Sequence, residues 1–203
     1  MITVGPWEPG VSQPSDPNLL SVIYHGGLQR EKISMKLMHT AAPPEAEEVE
    51  IDLDLPLCAS WGLELEEPRY WRTGDFRRSM LQIGFAPTTG EFRTVTLVVM
   101  LDVGRAAPSD TIRPLPTTVG VPRAQAIPGE DRFVSEPGEL KALLGEDNLI
   151  LRMAGSDSAC RTICSGRVLF GVDVDDQLVA IEVTRLDEHE WRQLADQSVP
   201  DGV

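Results

Sequence analysis

No apolar run in this 203-residue sequence approaches the roughly 20 residues that a membrane-spanning helix needs. The stretch from Met1 to Pro17 has neither a basic region nor an apolar core, so no signal peptide is expected there. Cysteine is sparse: Cys58, Cys160 and Cys164 are an odd number and make no disulfide framework. These absences point to a reduced cytoplasm. His25, His39 and His189 fit no metal-ligand spacing and no triad. Cys160 and Cys164 lie four apart, but Cys58 is remote and no histidine stands near, so a zinc site lacks its ligands. Small buried thiols are the expected reading of that pair, with a local disulfide as the alternative. Ser156 and Ser158 sit in GSDSAC, which lacks the glycine pattern of a nucleophile elbow. Gly26–Gly27 is followed by no Lys–Ser/Thr, so it is no phosphate loop. The expectation is a protein that is not an enzyme and carries no cofactor or metal.

Basic residues are also scarce. There are 18 Lys and Arg against 32 Asp and Glu, a net charge of −14. The excess is global: 1–104 carries 8 basic and 15 acidic residues, 105–203 carries 10 and 17, and each part has net charge −7. Such a field repels nucleic acid and anionic membranes and speeds encounter with basic partners. Hydrophobic content of 41% and charged content of 25% are ordinary for a globular chain and argue against wholesale disorder.

What is present is β-forming sequence. Arg167 to Leu186 reads RVLFGVDVDDQLVAIEVTRL, two apolar runs around the acidic turn Asp173–Asp176, and predicts an antiparallel hairpin. Met80 to Met100 repeats the phrase, with Pro87–Gly90 as its turn. Strands are also expected at Leu19–Tyr24, Glu31–Thr40 and Asn148–Met153. Met1 to Pro17 reads as an extended arm and His25–Gly27 as a turn. Helices are expected near Glu139–Leu144, from the spacing of Leu140, Leu143 and Leu144, and near Glu188–Ala195, capped by Asp187. Prolines recur between Gly104 and Pro137 with little apolar period. That stretch either wraps a single domain of 1–203 or is a Pro-rich linker, 104–137, between 1–103 and 138–203. The fold class predicted is α+β: mostly antiparallel β-sheet built around two related hairpins, with a few short helices.

The cleanest alternation is Glu48 to Leu55, EVEIDLDL. Val49, Ile51, Leu53 and Leu55 share one face of a strand, and Glu48, Glu50, Asp52 and Asp54 share the other. Like charges along a sheet face cost stability unless cations meet them. The row is either a solvated face or a surface for a basic partner. Glu64, Glu66 and Glu67 form a second acidic group. Asp173, Asp175 and Asp176 form a third, which lacks the glycine and closing glutamate of a calcium loop and reads as a turn.

The hairpin phrases FGVDVDDQLVAIEV and IGFAPTTGEFRTVTLVV resemble hairpins of small bacterial proteins from toxin–immunity loci. The resemblance is to immunity proteins of contact-dependent growth inhibition, and it covers the two hairpins. It implies a stoichiometric inhibitor that binds one cognate toxin domain, often a nuclease. No binding residue carries over from that family by position; the charge pattern alone names Glu48, Glu50, Asp52, Asp54, Glu64, Glu66, Glu67, Asp173, Asp175 and Asp176 as the expected partner-binding residues. The alternative is a structural or assembly module of a phage or secretion system.

Overall fold

The computed structural model describes residues 35–40, 47–52, 55–62, 66–125, 131–153 and 158–197. The expected arm at 1–17, the strand Leu19–Tyr24, the turn at 25–27, residues 31–34 of the next strand, Ser156, Asp54 and Glu64 lie outside them. The strands are β1 (Leu37–Thr40), β2 (Glu47–Glu50), β3 (Leu57–Trp61), β4 (Arg69–Gly74), β5 (Ser79–Phe85), β6 (Phe92–Met100), β7 (Val103–Arg105), β8 (Thr117–Val119), β9 (Val121–Ala124), β10 (Phe133–Pro137), β11 (Leu140–Leu144), β12 (Asn148–Met153), β13 (Arg161–Ser165), β14 (Val168–Val172) and β15 (Leu178–Thr184). One α-helix, α1 (Glu188–Asp196), occurs among the described residues. The protein is therefore mostly β-sheet with a single helix there.

Two large sheets hold most of the strands. One has the order β10-β4-β5-β6-β3-β2, the other β7-β11-β12-β15-β14-β13-β8, and β1 pairs with β9 in a small third sheet. Most neighbours are antiparallel, but β10 runs parallel to β4, β7 to β11 and β8 to β13. The expected hairpins are β5–β6 and β14–β15, one in each large sheet. Turn chemistry closes both. Gly90 takes φ +77 and donates its N–H to Ala86 O at 2.8 Å. The Asp173 carboxylate accepts the amides of Asp175 and Gln177, each at 2.9 Å, while Asp176 adopts φ +64. Asp tolerates that left-handed conformation because its short polar side chain bonds locally.

Alternation makes the core. In the six-stranded sheet, Val49, Ala59, Val95, Ile83, Trp71 and Val134 stand in one inward row. In the seven-stranded sheet, Ile163, Phe170, Ile181, Leu151 and Ala142 form the facing row. The two sheets share one apolar cluster, in which Phe170 meets Trp61 at 5.8 Å and Phe92 at 5.4 Å between ring centroids. Every residue of β15 is buried, because a strap of chain before β8 covers its other face through Ile112 and Leu115.

Glu182, in the middle of β15, is fully buried and holds that strap. Its carboxylate accepts from Thr111 Oγ1 (3.0 and 2.9 Å), Ile112 N (2.8 Å), Arg113 Nε (2.7 Å) and Asn148 Nδ2 (2.8 Å). Burying a carboxylate is tolerable only when hydrogen bonds and a counter-charge replace its water, and here five contacts do so.

One expectation needs correction. Residues 140–144 form strand β11, not a helix: Leu140, Ala142 and Leu144 are buried at every second position while the strand pairs with β12 and β7. The segment 104–137 carries strands of its own. It supplies β8 and β9 whole, together with most of β7 and all of β10.

Candidate partner-binding surface

The acidic strand is shorter than its alternation predicts. β2 ends at Glu50, because the Asp52 carboxylate accepts the Leu55 amide at 2.6 Å and turns the chain back into β3. This is the side-chain-to-backbone competition that Asp brings to a strand. Val49 faces the core, and Glu48 and Glu50 are exposed on the opposite face beside Ser60 and Cys58 of β3. Burial pushes the Cys58 thiol up, the Thr96 hydroxyl opposes that shift, and the charges of Glu50, Glu48 and Asp52 push it further up. The charges of all three carboxylates thus bear on one thiol. None of the ion pairs among the described residues involves Glu48 or Glu50.

The fold clamps this edge strand from its far side. The Glu47 carboxylate crosses to the β13–β14 turn and accepts the Arg167 amide at 2.9 and 3.0 Å. The Arg167 guanidinium donates to Val49 O at 3.2 Å and to Arg185 O at 3.2 Å, and it pairs bidentately with Glu190 of α1. Gln197 Nε2 donates to Asp52 O at 2.9 Å. A sheet edge offers unpaired backbone groups to any passing strand, and Arg167 occupies one of them. The Arg167 pair holds the Glu190 carboxyl below its ordinary range, whereas burial holds Glu47 above it despite the Arg167 amide and charge.

The other expected site residues lie elsewhere. Glu66 accepts from Thr88 Oγ1 at 3.1 Å and Glu67 pairs with Arg132, so both sit at the β3–β4 connection. Asp173 is buried, and its carboxylate is committed to its own turn, so it is not offered to a partner. Asp175 is exposed, and Asp176 pairs with Arg161. That turn lies against β1, where Leu37 N bonds Asp176 O. The three acidic groups are thus at three places.

Sequence reasoning missed a fourth cluster, on the same outer sheet face. Tyr70 and Phe133 stack at 5.2 Å with an interplanar angle of 14°. The Arg72 guanidinium lies 4.0 Å above the Phe133 ring, and Arg132 lies 5.3 Å from it. The sequence shows the two halves, Arg69 and Arg72 flanking Tyr70–Trp71, and Arg132 beside Phe133, but nothing local joins them.

Cys58, Cys160 and Cys164 are all free thiols. Cys160 and Cys164 are four residues apart on an extended strand, about 13 Å, well beyond the ~7 Å that a disulfide spans. Among the described residues no three His, Cys, Asp or Glu side chains group to hold a metal, and no helix is long and apolar enough to cross a membrane. No protein-family model matches the chain, and no curated protein matches it.

Proposed function

We propose that the chain is an immunity protein of the contact-dependent growth inhibition type, which binds and neutralises a cognate basic toxin domain, a nuclease. The observation that carries this reading is the open pair Glu48 and Glu50, held on a clamped edge strand with no described cation against either. Carboxylates fixed in that way stand in for the phosphates that a nuclease's lysines and arginines engage. The global charge of −14 draws a basic partner in. The Asp175–Asp176 turn and Glu66–Glu67 are farther sources of steering charge.

Co-expression with the toxin domain encoded beside this chain should restore growth. The variant Glu48→Gln/Glu50→Gln/Asp52→Asn should protect less, because removing steering charges slows association. Exposed pairs are each worth only about 0–1 kcal/mol, so the three changes are made together. Absence of rescue by the unaltered chain would overturn the proposal.

A further inference from the structure

The outer face of the six-stranded sheet carries both signs of charge, arranged in register. One row runs Glu50, Cys58, Thr96, Gln82, Arg72 across β2, β3, β6, β5 and β4. The next runs Glu48, Ser60, Thr94, Gly84, Tyr70, Phe133 and continues onto β10. Acid therefore occupies one margin, and arginine with aromatic rings occupies the other. Four strand spacings separate Glu50 from Arg72, about 19 Å. The strip between them is Ser, Thr, Cys, Gln and Gly, without bulky side chains. At Gly84 a Cβ would meet Thr94 Oγ1 at 2.5 Å and the Tyr70 ring at 3.0 Å, so the ring lies down on the sheet there.

Arg72 is fixed before any partner arrives. Its Nε donates to Gln82 Oε1 at 2.8 Å, and its plane rests on Phe133. Neither terminal nitrogen has a described partner among the hydrogen bonds or ion pairs. A planar guanidinium with its terminal donors open and its rotamer held is built for a carboxylate, which it binds through two parallel bonds. Phe133 is 41% exposed beside it. Exposed aromatic and arginine side chains, packed together and rigid, are the residues that anchor protein interfaces.

We infer that Arg72 and Phe133 are the anchor of the toxin interface and that the toxin presents a carboxylate to Arg72, about 19 Å from the cations that face Glu48 and Glu50. This rests on the immunity reading and adds to it a division of labour across one sheet face. The acidic margin governs how fast the partner arrives, and the arginine–aromatic margin governs how long it stays.

The test measures association and dissociation rates of the toxin domain encoded beside this chain, captured on a surface, at low and high ionic strength. Arg72→Gln leaves Phe133 and Tyr70 stacked. Phe133→Ala removes the ring, and unchanged circular dichroism checks that β10 stays in place. Each should raise the dissociation rate by about tenfold or more with the association rate within about twofold. Arg72→Lys, which keeps charge but loses the fork, should fall between Arg72→Gln and the unaltered chain. The Glu48→Gln/Glu50→Gln/Asp52→Asn variant should show the opposite pattern. If the unaltered chain does not bind the toxin, the immunity reading fails and this inference fails with it. If it binds and both Arg72→Gln and Phe133→Ala dissociate at the unaltered rate, only the anchor is overturned.

Discussion

Glu47 and Gly166 share one volume: a Cβ on residue 166 would lie 0.9 Å from the Glu47 carboxylate oxygen Oε2. Gly166 also has φ +60, a conformation that L side chains adopt at a cost. The contact joins the margin of one large sheet to a turn of the other.

Gly166→Ala should therefore weaken the fold from two directions. Left-handed backbone costs about 1–2 kcal/mol for a residue with a Cβ. Displacing a carboxylate from its backbone donor costs a further ~1.5–3 kcal/mol. We expect a loss of about 2.5–5 kcal/mol in urea unfolding. A loss of only about 1–2 kcal/mol, the backbone cost alone, would show that Glu47 relocates freely.

Glu182→Gln should cost about 1–3 kcal/mol, the usual penalty for leaving buried donors short of an acceptor, because part-exposed Arg113 keeps its pair with Asp147 at 2.7 Å. The amide of Gln brings donors to a site where Thr111, Ile112, Arg113 and Asn148 already donate. The strap before β8 should loosen first. Hydrogen exchange reads this directly, because the Ile112 amide donates to Glu182; exchange at Ile112 unchanged in the variant would sink the assignment.

Asp75 gives a pH test. Its carboxylate accepts the amides of Arg77 (2.9 Å), Arg78 (2.7 Å) and Ser79 (2.9 Å), and these bonds hold its pKa down to about 2, against an ordinary 3.8. A depressed acid stabilises the folded state above its unfolded pKa and loses that contribution as pH falls through the folded one. The unaltered chain should therefore be more stable than Asp75→Asn near neutrality. The gap should close between about pH 4 and pH 2, and melting curves of both proteins across that range would measure it. A gap independent of pH would show that the turn does not select the ionised form.

Cys58 reports on the acidic margin. Replacing Glu48 and Glu50 with Gln removes two of the charges that oppose its thiolate, so its pKa should fall and its alkylation at mildly alkaline pH should quicken. Peptide mapping separates Cys58 from exposed Cys160. An unchanged Cys58 rate would mean that burial alone controls the thiol.

The hairpins β5–β6 and β14–β15, strand β12 and helix α1 were legible in the sequence, because each carries a local signal: β-branched runs closed by turn residues, or Asp187 and Glu190 bonding reciprocally at the helix start. Residues 140–144 misled because Leu140 and Leu144 satisfy both periods, and the choice was made by the strands on either side. The acidic alternation located Glu48 and Glu50 but overran its strand, since the carboxylate of Asp52 acts on the backbone rather than on solvent. The Arg72–Phe133 cluster and the Glu47 clasp were out of reach. Their halves lie 61 and 120 residues apart in the chain, and pairings at that separation follow from sheet order, which no local pattern encodes.

The short strands of the Pro-rich segment decide when this protein is safe from its own neighbours. β7 and β8 finish both margins of the seven-stranded sheet, and β10 finishes one margin of the other. On the ribosome, β3 to β6 emerge before residues 133–137 do, so β4 must wait with its backbone open to a passing chain. The proline at the end of β10 then leaves the finished margin one donor short. Crowded, rapid synthesis is where this chain should aggregate, and lengthening the stretch between β6 and β10 should make that worse without altering the folded state.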